Sequence, residues 1–167
     1  MGAADEQVSA CVPEPVRDAG AIVDLLLEMA ADAAPDRVAI GDRQNGITTA
    51  RLYDLARRAA TRIAASGAPR VLFTDVSCPA PPVALFGAAG AGVPFVPLNY
   101  RLADDRLRDV AARVAPAIVV ADDACMARLG SLAGVDLVER GDLEARLESA
   151  PLLDDTTTDP DSVAVWL

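Results

Sequence analysis

The 167-residue sequence contains no histidine and no lysine, and all 15 of its positively charged residues are arginines. Without histidine, the chain lacks the side chain that most often acts as a general base near neutral pH. Without lysine, it lacks Schiff-base chemistry and any mechanism in which an ammonium group neutralises a phosphate. The sequence therefore carries little of the usual machinery for acid–base or covalent catalysis.

Cysteine is scarce and unpaired in the sequence. Cys11, Cys78 and Cys125 lie far apart and show no C-x-x-C spacing, and without histidine they do not form a zinc-ligand set. We interpret them as free thiols in a reducing cytosol. The acidic, polar start of the chain does not resemble a signal peptide, so we expect a cytoplasmic protein.

The chain has a net charge of −10 and no cluster of basic residues. Such a charge distribution is unsuited to nucleic acid or to an anionic membrane surface, and we expect neither as a partner. Apolar residues make up 52% of the chain and aromatic residues only 4%. This composition predicts a globular domain with a core made mostly of alanine, valine and leucine.

The longest uncharged run, residues 76–100, is long enough to cross a bilayer as a helix. Five prolines and three glycines interrupt it. A continuous helix through them would leave backbone groups unpaired in lipid, at a cost of several kcal/mol each. We therefore expect no transmembrane segment.

Short apolar runs alternate with helix-patterned segments along most of the chain. We expect strands at 38–40, 47–49, 70–74, 94–99, 117–121, 135–138 and 163–167. We expect helices in the intervening segments at 18–34, 49–66, 83–91, 103–114, 124–132 and 142–149. This alternation predicts an α/β fold with a largely parallel sheet flanked by helices.

The first predicted helix carries an apolar stripe at the spacing i, i+3, i+4, i+7. The stripe consists of Ile22, Leu25, Leu26, Met29, Ala30 and Ala33. This spacing predicts an amphipathic helix that presents the stripe as its apolar face.

The glycines of the sequence G-A-A-G-A-G (87–92) resemble a phosphate-binding loop only superficially. They lie within and at the end of a predicted helix, where the helix dipole has the wrong direction for an anion. We expect them to permit close packing of the helix on the sheet, with Gly92 at the helix C-terminus.

Four strings in the sequence match a known family in order and spacing. They are A-A-P-D-R-V-A-I (33–40), I-T-T-A-R-L-Y-D-L-A-R-R-A-A (47–60), F-G-A-A-G-A-G-V-P-F-V-P-L-N-Y-R-L (86–102) and A-P-A-I-V-V-A-D-D (115–123). Over residues 18–167 the chain resembles the N-terminal part of the adenylate-forming superfamily, and most closely its fatty-acid–CoA ligases. It departs from the family at residues 76–82, which contain prolines in place of an asparagine-containing segment.

The resemblance implies an ATP-dependent acyl-CoA ligase. In that family a small carboxylic acid attacks ATP to give an acyl-adenylate, Mg²⁺ assists, and the thiol of CoA then displaces AMP. The family's phosphate loop follows a strand like 163–167, and its catalytic lysine comes later still. We therefore expect this chain to be an N-terminal portion without the catalytic motifs. Its divisions would be a flexible arm (1–17), an α/β subdomain (18–149), a linker (150–161) and the first strand of the missing remainder (162–167).

No residue stands out as catalytic, and no metal ligand set is recognisable. The resemblance implies one cofactor contact: in some CoA ligases, arginines after the strand matching 118–121 approach the nucleotide end of CoA, and Arg128 lies nearby. An exposed helix arginine is the competing interpretation. Arg101 could reach a phosphate, although an Asx-type turn at Asn99 explains that stretch. The adjacent Asp122 and Asp123 are expected to be a helix N-cap and first turn.

Three functions stay open at this point. The first is part of an acyl-CoA ligase, whose partner would be the remainder of the ligase chain or a homo-oligomer partner. The second is a stand-alone, non-catalytic interaction module descended from such a ligase. The third is a flavodoxin-like nucleotide domain, which would bind its ligand at the carboxyl ends of the strands.

Overall fold

The structure, a computed structural model, describes residues 19–76, 78–141, 147, 151 and 163–167, with only the backbone of 19–21. Strands and helices alternate along these residues. In chain order the elements are α1 (Ala19–Ala33), β1 (Val38–Ile40), β2 (Ile47–Thr48), α2 (Thr49–Ser66), β3 (Val71–Thr74), α3 (Ala80–Gly90), β4 (Phe95–Pro97), α4 (Asp104–Val114), β5 (Ala117–Ala121), α5 (Asp123–Leu129) and β6 (Val135–Glu139).

Four of the strands form one parallel sheet in the order β4-β3-β5-β6. Val71 of β3 is level with Phe95 on one side and with Ile118 on the other. After β3 the chain adds β4 on one side of it and then crosses over to add β5 and β6 on the other. The strand order therefore reverses between β3 and β5, which makes that crevice a topological switch point. The predicted α/β class and parallel sheet are confirmed.

Helices cover both faces of the sheet. Val71 and Phe73 of β3 pack into the layer made by α1, α2 and α3, whereas Leu72 between them packs into the layer of α4 and α5. Because neither face is left for water, the strands can be continuously apolar, as β5 is. Strands β1 and β2 form a separate antiparallel hairpin.

Helix α3 lies against α2 through residues without bulk. A Cβ atom added at Gly87 would lie 2.6 Å from the Cβ of Ala59, and one at Gly90 would lie 3.2 Å from the Cβ of Ala60. The glycines therefore allow close packing, as expected from the sequence. The expected partner was wrong, because these positions face a second helix and not the sheet.

Gly92 ends α3 as predicted. Its φ of +69° lies in the left-handed region that glycine adopts at low cost. The N–H of Gly92 donates to Ala89 O and the N–H of Val93 donates to Ala88 O, both at 3.0 Å. This pair of bonds is the Schellman arrangement, and it turns the chain directly into β4.

The apolar stripe predicted for α1 is not its buried face. Leu27 and Ala31 are buried against α2 and α3, whereas Ile22, Leu25 and Met29 are each more than half exposed. Helix α1 is apolar on two opposite faces, and its periodicity does not say which face is packed. None of the helices that the structure describes is long and apolar enough to cross a membrane.

Residues 163–167 extend the sheet beyond β4 by a single bridge. Val165 pairs with Phe95 in parallel; Phe95 N donates to Ala164 O and Trp166 N donates to Phe95 O, both at 2.9 Å. Of the strand expected at 163–167 the structure shows only this bridge; Ala164 is buried, whereas Trp166 is 48% exposed. The predicted arm, linker and subdomain bounds stay predictions, and residues 1–18, 77, 142–146, 148–150 and 152–162, with most of the helix predicted at 142–149, lie outside the described part of the chain.

We expect Gly87→Ala to destabilise the protein. Apolar carbons normally approach to about 3.5–4.0 Å, so the new methyl group would force α2 and α3 apart. Overpacking of this kind costs about 1–3 kcal/mol, which exceeds the 0.5–1 kcal/mol, roughly, that alanine gains over glycine in a helix. Urea denaturation followed by the fluorescence of Trp166, the single tryptophan, measures the loss.

Adding Ala59→Gly to Gly87→Ala should restore part of the loss, because it removes the methyl group that the new one meets. A Gly87→Ala variant as stable as the wild type would show that the two helices can separate without cost.

Candidate functional site

The carboxyl ends of the parallel strands meet at the switch point, where open α/β folds usually bind their ligands. Asp75 follows β3, Asp122 follows β5, and Arg140 follows β6. These three charged residues make the crevice the candidate functional site of the described chain. Their contacts determine whether it can accept a ligand.

Asp75 and Arg140 form a buried ion pair across this edge. The Asp75 carboxylate is fully buried, and its Oδ2 accepts a hydrogen bond from Arg140 Nη1 at 2.5 Å. Its Oδ1 accepts from the N–H of Val76 at 2.5 Å. The pair connects the ends of β3 and β6 across β5, so it closes the crevice with protein atoms.

Asp122 is the N-cap of α5, as the sequence predicts. Its Oδ1 accepts from the N–H of Cys125 at 2.7 Å. This backbone hydrogen bond, only partly opposed by burial, lowers the pKa of Asp122 below its usual value. The carboxylate is therefore held ionised by a structural bond at the helix terminus.

Thr74 and Cys125 fill the space beneath the charged residues. Thr74 Oγ1 is buried without a conventional hydrogen-bond partner among the described residues, and the Cys125 thiol lies beside it. Burial, followed by the nearby Asp122, raises the pKa of Cys125. This thiol is therefore held protonated, with an S–H that is only a weak donor, and is a poor nucleophile.

Helix α3 begins where a doubly wound fold would bind phosphate, but its first turn has few donors. Pro79 is the N-cap, and Pro81 and Pro82 follow Ala80 in the first turn. Proline has no N–H, so only Ala80 of the first three helical residues keeps an amide that could hold an anion. With Asp75 and Asp122 at the same edge, the crevice repels phosphate, which argues against a flavodoxin-like nucleotide site.

A divalent metal finds no set of ligands here either. Asp122 is used as a cap, Asp123 begins α5, and no group of three or more metal-binding side chains occurs among the described residues. The interpretation of these adjacent aspartates as a cap and a first turn is thus confirmed.

Arg128 lies in the last turn of α5 and fastens the loop between β4 and α4. Its guanidinium donates to Tyr100 O, to Leu102 O and to Asp104 Oδ1, the last at 2.7 Å. The bond to Asp104 raises the pKa of Arg128. Arg108 Nε in turn donates to Arg128 O at 2.6 Å. The predicted CoA contact would have to compete with these bonds.

The loop held by Arg128 presents a second arginine to solvent. The N–H of Arg101 donates to Asn99 Oδ1 at 3.0 Å, which is the expected Asx-type turn. The Arg101 guanidinium stacks over the Tyr100 ring, 5.3 Å from its centroid, and remains exposed. Arg101 Nε also donates to Tyr100 Oη at 3.0 Å.

A groove on the other face of the sheet is too small for an acyl or nucleotide ligand. It has a volume of about 80 Å³ between α2, α3 and strands β3, β5 and β6. Its floor is apolar, and Arg62 and Asp136 are among the residues that line it. Ligand pockets usually have volumes of about 300–1,000 Å³, so we assign no ligand to this groove.

Sequence reasoning missed the Asp75–Arg140 pair. The two residues are 65 positions apart, and neither belongs to a recognisable motif. The sequence did offer one signal, because Asp75 and Arg140 each follow directly on a strand of the predicted parallel sheet. Polar residues in that position meet at one edge even when the chain between them is long.

Replacing Arg140 by alanine should destabilise the protein strongly. It would leave the Asp75 carboxylate buried without its ion-pair partner, at a cost of about 3 kcal/mol. Adding Asp75→Asn should recover part of that loss, because an amide carries no buried charge. Thermal and urea denaturation measure both changes.

Arg113→Ala is the matched control. Arg113 also makes a 2.5 Å ion pair, with Asp109, but both side chains are about half exposed or more. Loss of such a surface pair should change the stability by about 0.5 kcal/mol or less. If Arg140→Ala behaved like Arg113→Ala, the buried pair would not hold this edge together.

Solved structures share the fold. The described unit superposes on a benzoate CoA ligase from Burkholderia xenovorans LB400 with a TM-score of 0.75 and 24% identity, over 87% of this chain and 32% of that one. It also superposes on a Mycobacterium tuberculosis fatty acyl CoA synthetase with a TM-score of 0.69 and 22% identity, over 82% and 30%. At these identities the likeness concerns the fold alone.

A sequence relative and a family model extend the comparison. A D-alanine–D-alanyl carrier protein ligase of Staphylococcus aureus is 31% identical over 93 residues, which are 56% of this chain and 19% of the relative. The chain thus spans about a fifth of that relative's length. The family model for AMP-binding enzymes matches residues 27–167, nearly the whole described unit. This chain belongs to the family of AMP-binding enzymes.

Proposed function

We propose that this chain is the N-terminal part of an ATP-dependent acyl-CoA ligase. In the complete enzyme a small carboxylic acid would be activated as an acyl-adenylate and then transferred to the thiol of CoA. The observation that carries the proposal is the family match over residues 27–167.

We take CoA as the acceptor from the resemblance of residues 86–102 to the fatty-acid–CoA ligases. The two similar structures are a benzoate CoA ligase and a fatty acyl CoA synthetase. The sequence relative is a ligase for a D-alanyl carrier protein. All three names join a carboxylic acid to an acceptor, which is CoA in two of them and a carrier protein in the third.

The described residues do not fit ATP or Mg²⁺. The first turn of α3 has lost two of its three amide donors to proline, and the carboxylates at the switch point are used by Arg140 and by the N-terminus of α5. The sequence also has no lysine to neutralise a phosphate. We therefore place the adenylation chemistry, with its nucleotide and metal, outside these residues, and we derive no step of it from them.

The contribution we propose for this chain to CoA binding is indirect. Arg128 would act as a positioning residue, because its guanidinium holds the carbonyl groups of Tyr100 and Leu102. The loop so fixed presents Arg101, whose exposed guanidinium can pair with a phosphate of CoA. We therefore propose that Arg128 contributes to CoA binding by positioning the loop and not by contacting CoA itself.

The second candidate is a non-catalytic module derived from such a ligase. It is favoured by the closed crevice at the switch point, where Asp75 and Arg140 occupy the usual ligand position. A module of this kind would bind neither ATP nor CoA. The two candidates are separated by measuring activity.

Acid-dependent exchange of pyrophosphate into ATP tests the ligase. We would compare residues 1–167 with the product of the complete reading frame, using D-alanine, benzoate and a fatty acid as substrates. The complete product should catalyse exchange with one of these acids and then form its CoA thioester. Residues 1–167 alone should catalyse neither reaction. A complete product inactive with every acid would favour the non-catalytic module.

Arg128→Ala in the complete ligase should raise KM for CoA and lower stability together. Two carbonyl groups of the loop would lose their donor, at a cost of about 1–3 kcal/mol, and the position of Arg101 would be lost with them. The value of kcat and the KM for ATP should stay unchanged. Steady-state kinetics and thermal denaturation measure these quantities.

Arg101→Ala is the control for this prediction. Arg101 is exposed and belongs to the same loop, so its loss should raise KM for CoA without changing stability. If Arg128→Ala lowered stability and left KM for CoA unchanged, Arg128 would have a structural role only.

A further inference from the structure

The outer face of α1 carries four of the large apolar side chains that are exposed in the described part of the chain. Ile22, Leu25, Leu26 and Met29 are exposed by 52%, 52%, 59% and 58%. They follow one another at i, i+3, i+4 and i+7, so they form one continuous stripe. Single exposed apolar residues are common, but a continuous stripe of four large ones marks an interaction surface.

The opposite face of the same helix is already packed. Leu27 and Ala31 are buried at 5% and 8% exposure against the core formed with α2 and α3. A helix with two opposite apolar faces normally buries both of them. The outer stripe therefore needs a partner that the described residues do not include.

The charges beside the stripe indicate what that partner carries. Glu28 and Asp32 are exposed and one turn apart, and they flank the stripe on the side of Leu25. Helix α1 contains no arginine or lysine. A complementary surface is thus apolar with a basic edge.

A second copy of this chain fits the surface poorly. Two α1 helices packed antiparallel about a two-fold axis would bring Glu28 and Asp32 of each copy together, and each copy already carries a net charge of −10. A stable dimer also buries about 20–30 residues on each side, and this stripe has four large side chains.

Further polypeptide chain of the same protein is a better candidate to cover the stripe, because similar proteins are much longer than this chain. This chain covers 32% of the benzoate CoA ligase, 30% of the fatty acyl CoA synthetase and 19% of the carrier protein ligase. Each of them has about twice as much further chain, or more, that could pack on a unit of this kind.

We propose that the α1 stripe is the docking surface for the part of the ligase that follows residue 167. That part covers Ile22, Leu25, Leu26 and Met29 with apolar side chains and places arginine or lysine opposite Glu28 and Asp32. The inference rests on the proposed function, since it takes its partner from a complete ligase.

Oxidation of methionine by H2O2 tests this proposal without changing the sequence. One oxygen atom passes from H2O2 to the thioether sulfur, which leaves a sulfoxide and water, and exposed methionines react fastest. Met29 reports on the stripe, and Met126, partly buried between α5 and the sheet, is the internal control. Peptide mass spectrometry gives both rates in residues 1–167 and in the product of the complete reading frame.

We expect Met29 to react at least about tenfold more slowly in the complete product, while Met126 reacts at the same rate in both. Equal rates for Met29, or a reading frame that ends at Leu167, would overturn the proposal. Protection of Met29 within residues 1–167 would also overturn it. Protection that grows with concentration would indicate a second copy, and protection independent of concentration would indicate residues 1–18.

Substitutions test the chemistry of the surface. In the complete product, Leu25→Gln with Leu26→Gln should lower Tm by about 5 °C or more beyond its effect in residues 1–167. Leu27→Gln, on the packed face, should lower Tm in both chains. Glu28→Gln with Asp32→Asn should lower Tm in the complete product only, and high salt should remove that difference.

The exchange assay separates this proposal from the proposed function. A complete product that is active but leaves Met29 fully reactive refutes the docking surface alone. A complete product that protects Met29 but exchanges no pyrophosphate refutes the proposed ligase function and supports the proposal that the α1 stripe is covered.

Discussion

The close contact between α2 and α3 is the constraint on which the rest of the structure depends. Gly87 lies so near Ala59 that a side chain on α3 would prevent the approach. The two helices then form one layer over β3 and β5, and α3 delivers the chain through Gly92 into β4. The bridge from Val165 is made to β4. The position of this edge of the sheet therefore depends on the close packing of α3 against α2.

The charged groups at the carboxyl edge of the sheet are bonded to other groups of the protein and are not available to a ligand. At the switch point of an open parallel sheet a ligand usually supplies the missing contacts. Here Arg140 supplies them to Asp75, and the N-terminus of α5 supplies them to Asp122. The prolines at the start of α3 remove two of the three amide donors of its first turn. A chain can belong to the family of AMP-binding enzymes although its described residues form no ligand site at the switch point, because function belongs to sites placed on a fold and not to the fold itself.

The sequence could predict the features whose signal lies within a few neighbouring residues, and it could not predict contacts between residues far apart in the chain. β5 and the left-handed Gly92 were predictable because a run of β-branched residues and a glycine after a helix act within a few positions. The Asp75–Arg140 pair was not, because 65 residues separate its members and only the strand order brings them together. Arg128 is intermediate: its place on a helix was predictable, but its bonds to a loop 26–28 residues earlier were not.

Helix α1 shows why periodicity can be right about an element and wrong about its surroundings. The i, i+3, i+4, i+7 spacing identifies a helix, yet Leu27 and Ala31 on the other side made the packed contacts. Each large side chain left half exposed forgoes on the order of 1 kcal/mol of burial energy, so Leu25 and Leu26 add little stability in this unit. An apolar face of this kind gains its stabilisation only when a larger structure covers it. The face is therefore better understood as the docking surface that we propose than as part of the amphipathic pattern of a single helix.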